Sequence, residues 1–145
     1  MSTSTKTAGA VVLLTRLARV VYRSVDEEKL GMRLKGFAVL NYVGDLGGAT
    51  QRELTDVMGL DANSIVLLLN DLEARGYAVR ERDPEDRRRH IVRVTPAGRK
   101  AVVRAEAALE SVTDQALGAL DNGERDQLRE LLAKALGDRA LASSS

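Results

Sequence analysis

The stretch "RERDPEDRRRHIVRVTPAG", residues 80–98, carries the densest chemistry in the chain. From Arg80 to Arg93 it packs six arginines and four acids around one proline. Guanidinium groups are planar, permanently charged forks of five donors, suited to phosphate, carboxylate and base edges. Crowded at a turn, they suit an anionic partner such as a nucleic-acid backbone. The plainer reading is a solvated face neutralised by Asp83, Glu85 and Asp86. Other chemistry is poorly supplied. With no Cys, the chain has no thiol nucleophile, no disulfide and no thiolate metal site. The single His90 cannot build a zinc site and has no base beside it to form a catalytic pair. No Gly-rich phosphate loop follows a strand, and "DPED" lacks the spacing of a calcium loop. We expect no enzyme, no metal and no cofactor.

The remaining composition sets the frame. Of 145 residues 44% are hydrophobic, with one Phe and three Tyr, so the core must be aliphatic. Net charge is +1, and nucleic-acid contacts must rest on local patches. No apolar run approaches the roughly 20 residues of a membrane span, and "MSTSTKTAGA" lacks a signal peptide's apolar region. The expectation is a cytoplasmic protein with no membrane partner.

Apolar spacing predicts the elements that hold the arginines. Val12, Leu13, Leu17, Val20, Val21 and Val25 mark a helix over about 10–29, ended near Gly31. "LKGFAVLNYVGDL" is a second helix, stopped by Gly47-Gly48. Thr50 caps a third and forms a capping box with Glu53, and Gly59 ends it. Asp61 caps a fourth, whose Ile65, Leu68, Leu69 and Leu72 face inward. "YAVRER" and "HIVRV" read as strands around the turn "DPEDRR". Thr95-Pro96 opens a fifth helix with a 3-4-3-4 seam of Val102, Ala105, Leu109, Val112 and Ala116. A sixth begins with the Asp121/Glu124 box and carries Leu128, Leu131, Leu132, Ala135 and Leu136. Residues 1–8 and 138–145 read as flexible tails.

The third and fourth helices are joined by about three residues around Gly59, a helix-turn-helix spacing. The hairpin after them is a wing. Its arginine tip could enter a minor groove, where narrow A·T tracts concentrate negative potential. The fold class is therefore mainly α with a small β-hairpin wing. Residues 33–95 form the winged helix-turn-helix lobe, and 10–30 with 96–137 a helical dimerisation region. The end helices need a partner for their apolar faces, which a second copy supplies through Leu13, Leu17, Val102, Leu109, Val112, Leu128, Leu131 and Leu132.

The chain resembles the MarR family of bacterial transcription regulators from about residue 10 to 137. The most specific segment is the wing, with Asp-x-Arg at its tip (Asp86, Arg87, Arg88), a strand, then Thr95-x-x-Gly98. "TQRELTDVMGLDANSIVLLLNDLEARGYAVR" resembles the family's two DNA-binding helices. The resemblance implies a homodimeric repressor on a pseudo-palindromic double-stranded DNA operator, relieved by a small-molecule effector. Carried onto this chain, it implies that Thr50 and Gln51 brace the phosphate backbone. Asp61, Ala62, Asn63 and Ser64 open the recognition helix, with Leu67 one turn on. Arg82, Asp86, Arg87 and Arg88 form the wing contact, Arg88 entering the minor groove and Asp86 holding the wing's shape. Arg16, Tyr22, Phe37 and Tyr42 are the effector-site candidates. The chain departs from the family's pattern at Val66 and Leu67, where Thr and Arg are common; without the arginine a bidentate reader of guanine is gone. The competing reading is a winged-helix module that binds protein rather than DNA.

Overall fold

The computed structural model describes the backbone of residues 6–137 and the side chains of residues 9–137. Among the described residues, seven helices and three short strands follow in the order α1 (Lys6–Ser24), α2 (Glu27–Leu30), α3 (Leu34–Leu46), β1 (Ala49–Thr50), α4 (Gln51–Met58), α5 (Ala62–Ala74), β2 (Ala78–Arg82), β3 (His90–Val94), α6 (Pro96–Leu117) and α7 (Asn122–Leu136). The expected class, helices with a small hairpin wing, is what the chain adopts. The expected flexible tails lie outside the described residues, except that Lys6, Thr7 and Ala8 already belong to α1.

Two boundaries differ from expectation. The helix predicted over 10–29 breaks at Val25-Asp26. Asp26 starts a new one-turn helix by accepting hydrogen bonds from the backbone N–H groups of Glu28 (3.0 Å) and Lys29 (3.4 Å). A third strand, β1, also appears. It pairs antiparallel with β3, Ala49 opposite Val92 and Thr50 opposite Ile91, giving the sheet order β1-β3-β2.

The core sits where α3, α4, α5, β3 and the first half of α6 meet. Met32, Val39, Leu40, Val43, Leu54, Ile65, Leu69, Leu72 and Val92 are all below 2% exposed. Each such side chain stabilises the fold by about 1.5–3 kcal/mol relative to leaving it in water. α6 enters this core at its N-terminal end. Thr95 accepts the Gly98 N–H at 3.0 Å and donates its hydroxyl to the Gly76 carbonyl at 2.6 Å.

The seam of α6 is partly covered within the protomer. Val112 is 8% exposed within one protomer, and Val102 and Leu109 pack against the same chain's core. α6 lies across α1, α2 and α3, so this stripe also has neighbours within its own chain. A heptad spacing gives a stripe its width but does not say which helix covers it.

Candidate nucleic-acid interface

α4 begins on the predicted capping box: Thr50 Oγ1 accepts the Glu53 N–H at 3.1 Å, and Glu53 Oε1 accepts the Thr50 N–H at 3.3 Å. Gly59 then turns the chain with φ of 65°, a left-handed conformation that costs glycine little. Three residues later α5 starts. Its cap, Asp61, accepts the Ser64 N–H at 2.7 Å, and hydrogen bonding from Ser64 holds the Asp61 carboxyl below its ordinary pKa. Ile65, Leu68, Leu69 and Leu72 anchor α5 to the core. The opposite face, with Ala62, Asn63, Leu67 and Asn70, is exposed. α4 and α5 thus form a helix-turn-helix whose second helix presents a free side.

The six arginines of the wing have separate assignments. Arg80 turns back onto α5, donating Nε to Glu73 Oε1 (3.0 Å) and Nη2 to Asn70 Oδ1 (2.6 Å), while its backbone N–H meets Glu73 Oε2 at 3.2 Å. Arg93 Nη1 donates to the Gly47 carbonyl at 2.6 Å, and its Nε lies 3.4 Å from Glu81. Arg89 Nη2 pairs with Asp83 at 2.7 Å, and Arg82 Nη1 donates to the Arg87 carbonyl at 2.9 Å. That leaves Arg87 and Arg88 at the tip, both exposed. The Arg88 side chain is 91% exposed, yet its root is fixed: Asp86 Oδ1 accepts the Arg88 N–H at 3.1 Å and Nε at 3.2 Å.

Sequence reasoning missed Asp83. It is 5% exposed, accepts the Glu85 N–H at 2.9 Å and pairs with Arg89 across the base of the turn. An aspartate whose carboxylate meets the N–H two residues on is a turn signal, and "DPE" carries it. The Glu85 N–H, then Arg89, lower the Asp83 pKa. A carboxylate with a lowered folded pKa contributes stability that is complete above its ordinary value of 3.8 and is lost as pH falls through the lowered one. We therefore expect the wing to hold unchanged from pH 5 to 8 and to loosen only in acid below about pH 4. Amide exchange at Glu85 and Arg89 measures this; loosening between pH 5 and 7 would contradict it.

The four effector-site candidates have different surroundings. Phe37 lines a cavity of about 510 Å³ between α3, α6 and α7, with Glu106, Glu110, Asp114 and Arg125 on its wall. Arg16 lines a recess along α1 with Leu13 and Leu17. Tyr22 is half exposed with Lys35 Nζ 5.9 Å from its ring centre, and Tyr42 packs on the core.

Among the described residues, α1 and α7 present exposed apolar faces. Val11, Val12, Leu13 and Leu14 on α1 are 48–59% exposed, Leu131 and Leu136 on α7 are 64% and 78%, and α7 buries no residue. Leu17, Leu128 and Leu132 border these faces, partly or largely exposed.

A family model described as "MarR family" matches residues 30–89. A protein of Thauera aromatica named for regulation of the hcr operon is 34% identical over 98 residues; the match spans 68% of this chain and 59% of that protein's length. A MarR-family transcriptional regulator from Rhodococcus sp. RHA1 superposes with a TM-score of 0.78 at 26% identity, covering 90% of this chain and 94% of that one. CouR from Rhodococcus jostii RHA1, solved with p-coumaroyl-CoA bound, is 30% identical with a TM-score of 0.70, over 86% and 89% of the two chains.

Proposed function

Because the chain belongs to the MarR family of transcriptional regulators, we propose that it is a homodimeric repressor that binds a pseudo-palindromic operator. α5 lies in the major groove and the wing arginines in the adjacent minor groove. The observation that carries this reading is the wing's division of labour: four arginines are engaged within the protein and two, Arg87 and Arg88, project from an acid-braced tip. A merely solvated face has no reason to hold Arg88 by its root. Thr50 and Gln51 start α4 against the phosphate backbone, where helix N–H groups and their dipole favour anions. Asp61, Ala62, Asn63, Ser64 and Leu67 lie at the leading end of α5.

The dimer is supported by the apolar faces of α1 and α7, around Leu13, Leu17, Leu128, Leu131 and Leu132. A twofold pair places its recognition helices in successive major grooves about 34 Å apart. A small-molecule effector belongs to the same proposal, supported by CouR's bound ligand and by the cavity at Phe37.

Binding of duplex DNA across a salt series tests the reading. Affinity should fall steeply as salt rises, because displaced counterions make log affinity linear in log salt. Salt-insensitive association with a protein, and none with DNA, would favour the interaction-module alternative. Arg88→Ala should weaken operator binding about tenfold, the worth of a charge-assisted hydrogen bond. The salt slope should become shallower by about 0.9 per lost phosphate contact. Asp86→Ala should also weaken binding, because Arg88 loses its brace. A simple electrostatic patch gives the opposite sign, since removing an acid beside DNA would tighten the complex.

A further inference from the structure

We infer that direct base readout by this chain is of thymine and adenine: Leu67 packs on thymine C5-methyl groups while Asn63 pairs with an adenine edge. Each half-site then offers A·T pairs to the leading end of α5. This rests on the DNA-binding reading above and names what that interface selects.

The outward stripe of α5 runs Asn63, Leu67, Asn70, spaced i, i+4, i+7 on the side opposite Ile65, Leu68, Leu69 and Leu72. From Ala62 to Ala74 there is no Lys or Arg, the residues that pair with guanine O6 and N7. α5 therefore has no strong guanine reader. Asn70 is already committed through its carbonyl oxygen to Arg80 at 2.6 Å and stands two turns from the helix start. Asn63 is exposed in the first turn, and its amide matches the donor-acceptor pair of adenine N6 and N7. Leu67 is 58% exposed. A lone exposed leucine is ordinary on most surfaces. This one sits at the reading position and borders a recess shared with Arg33, Lys35 and Ser64, two cations and a hydroxyl that suit an anionic backbone. In the major groove the one apolar feature of a base edge is the thymine methyl.

The test begins with selection of tight-binding duplexes from a random library on the full-length protein. The selected half-sites should carry thymine at the positions facing Leu67. Deoxyuridine in place of those thymines removes only the methyl groups. Wild-type affinity should drop about fourfold per half-site, or about fifteenfold for both, the worth of one buried methyl each. Leu67→Ala should bind the thymine and deoxyuridine duplexes equally, and Leu67→Met, which keeps an apolar tip, should retain the preference. Unchanged melting of both variants shows that folding is not the cause. Equal wild-type affinity for the two duplexes overturns the inference. So does a G·C pair at the facing positions, or a methyl preference that survives in Leu67→Ala. Failure to enrich any duplex would sink the DNA-binding reading itself, and this inference with it.

Discussion

Leu13→Glu combined with Leu131→Glu should give a helical monomer of 15.7 kDa that binds operator DNA at least about a thousandfold more weakly than the parent. Leu13 is 59% and Leu131 64% exposed in the single chain, so neither change opens the core. Their place on the apolar faces of α1 and α7 is what matters. Stable homodimers bury about 2,000 Å² or more, and buried carboxylates with no partner in such an interface cost several kcal/mol each. Splitting the dimer also separates the two half-sites. The second contact then loses the effective concentration that tethering supplies, a factor of about 10²–10⁴. Sedimentation at micromolar concentration checks the first part and fluorescence anisotropy the second. A wild-type chain that already sediments as a monomer would refute both.

Gly98→Ala should destabilise the fold by about 3–5 kcal/mol, at the severe end for a single substitution. A Cβ there would lie 2.1 Å from the Tyr77 carbonyl oxygen and 2.8 Å from the Val94 side chain. The Tyr77 carbonyl cannot swing away, because it accepts the Thr95 N–H at 3.0 Å. The only relief is to lift α6 off the start of β2, which uncovers Ala101 and Ala105. Gly123→Ala is the control. Its Cβ meets nothing closer than 3.4 Å, within the first turn of α7, and alanine's better helix propensity should leave stability unchanged or raised by up to about 1 kcal/mol. Urea unfolding of both variants measures the contrast. If Gly98→Ala melts within a degree or two of the parent, the close approach of α6 to Tyr77 is not as described.

Local signals were the legible ones. Thr50 with Glu53, Asp61, Thr95 with Pro96, and Asp121 with Glu124 each cap a helix where the sequence places them. A cap is an interaction between residues three apart, so sequence alone displays it. What the sequence hid depends on distance. β1 is two residues long and exists only because Val92 and Ile91 arrive from forty residues away. The break after Ser24 was masked because Val25 continues the apolar stripe, while the stop lies in Asp26. The α6 seam was visible as a seam, but its contacts with α1, α2 and α3 of the same chain were not. Arg80 read as one more wing cation, and its fork to Glu73 and Asn70 crosses a helix-strand boundary that periodicity cannot see. At the wing tip the pairing of Asp86 with an arginine was legible; Asp83, the residue that closes its base, was not.

The Arg80 fork gives the molecule the character of a caliper. One jaw is α5, the other is the hairpin, and the guanidinium clamped by Glu73 and Asn70 locks the opening between them. Jaws tied together in this way measure what lies between. On the reading proposed above, the duplex must supply the adjustment, by bending or narrowing a groove until both jaws seat. Base pairs that no side chain touches then count through their stiffness, so a flexible pyrimidine-purine step outside the contacts is tolerated and a rigid tract in the wrong phase is refused.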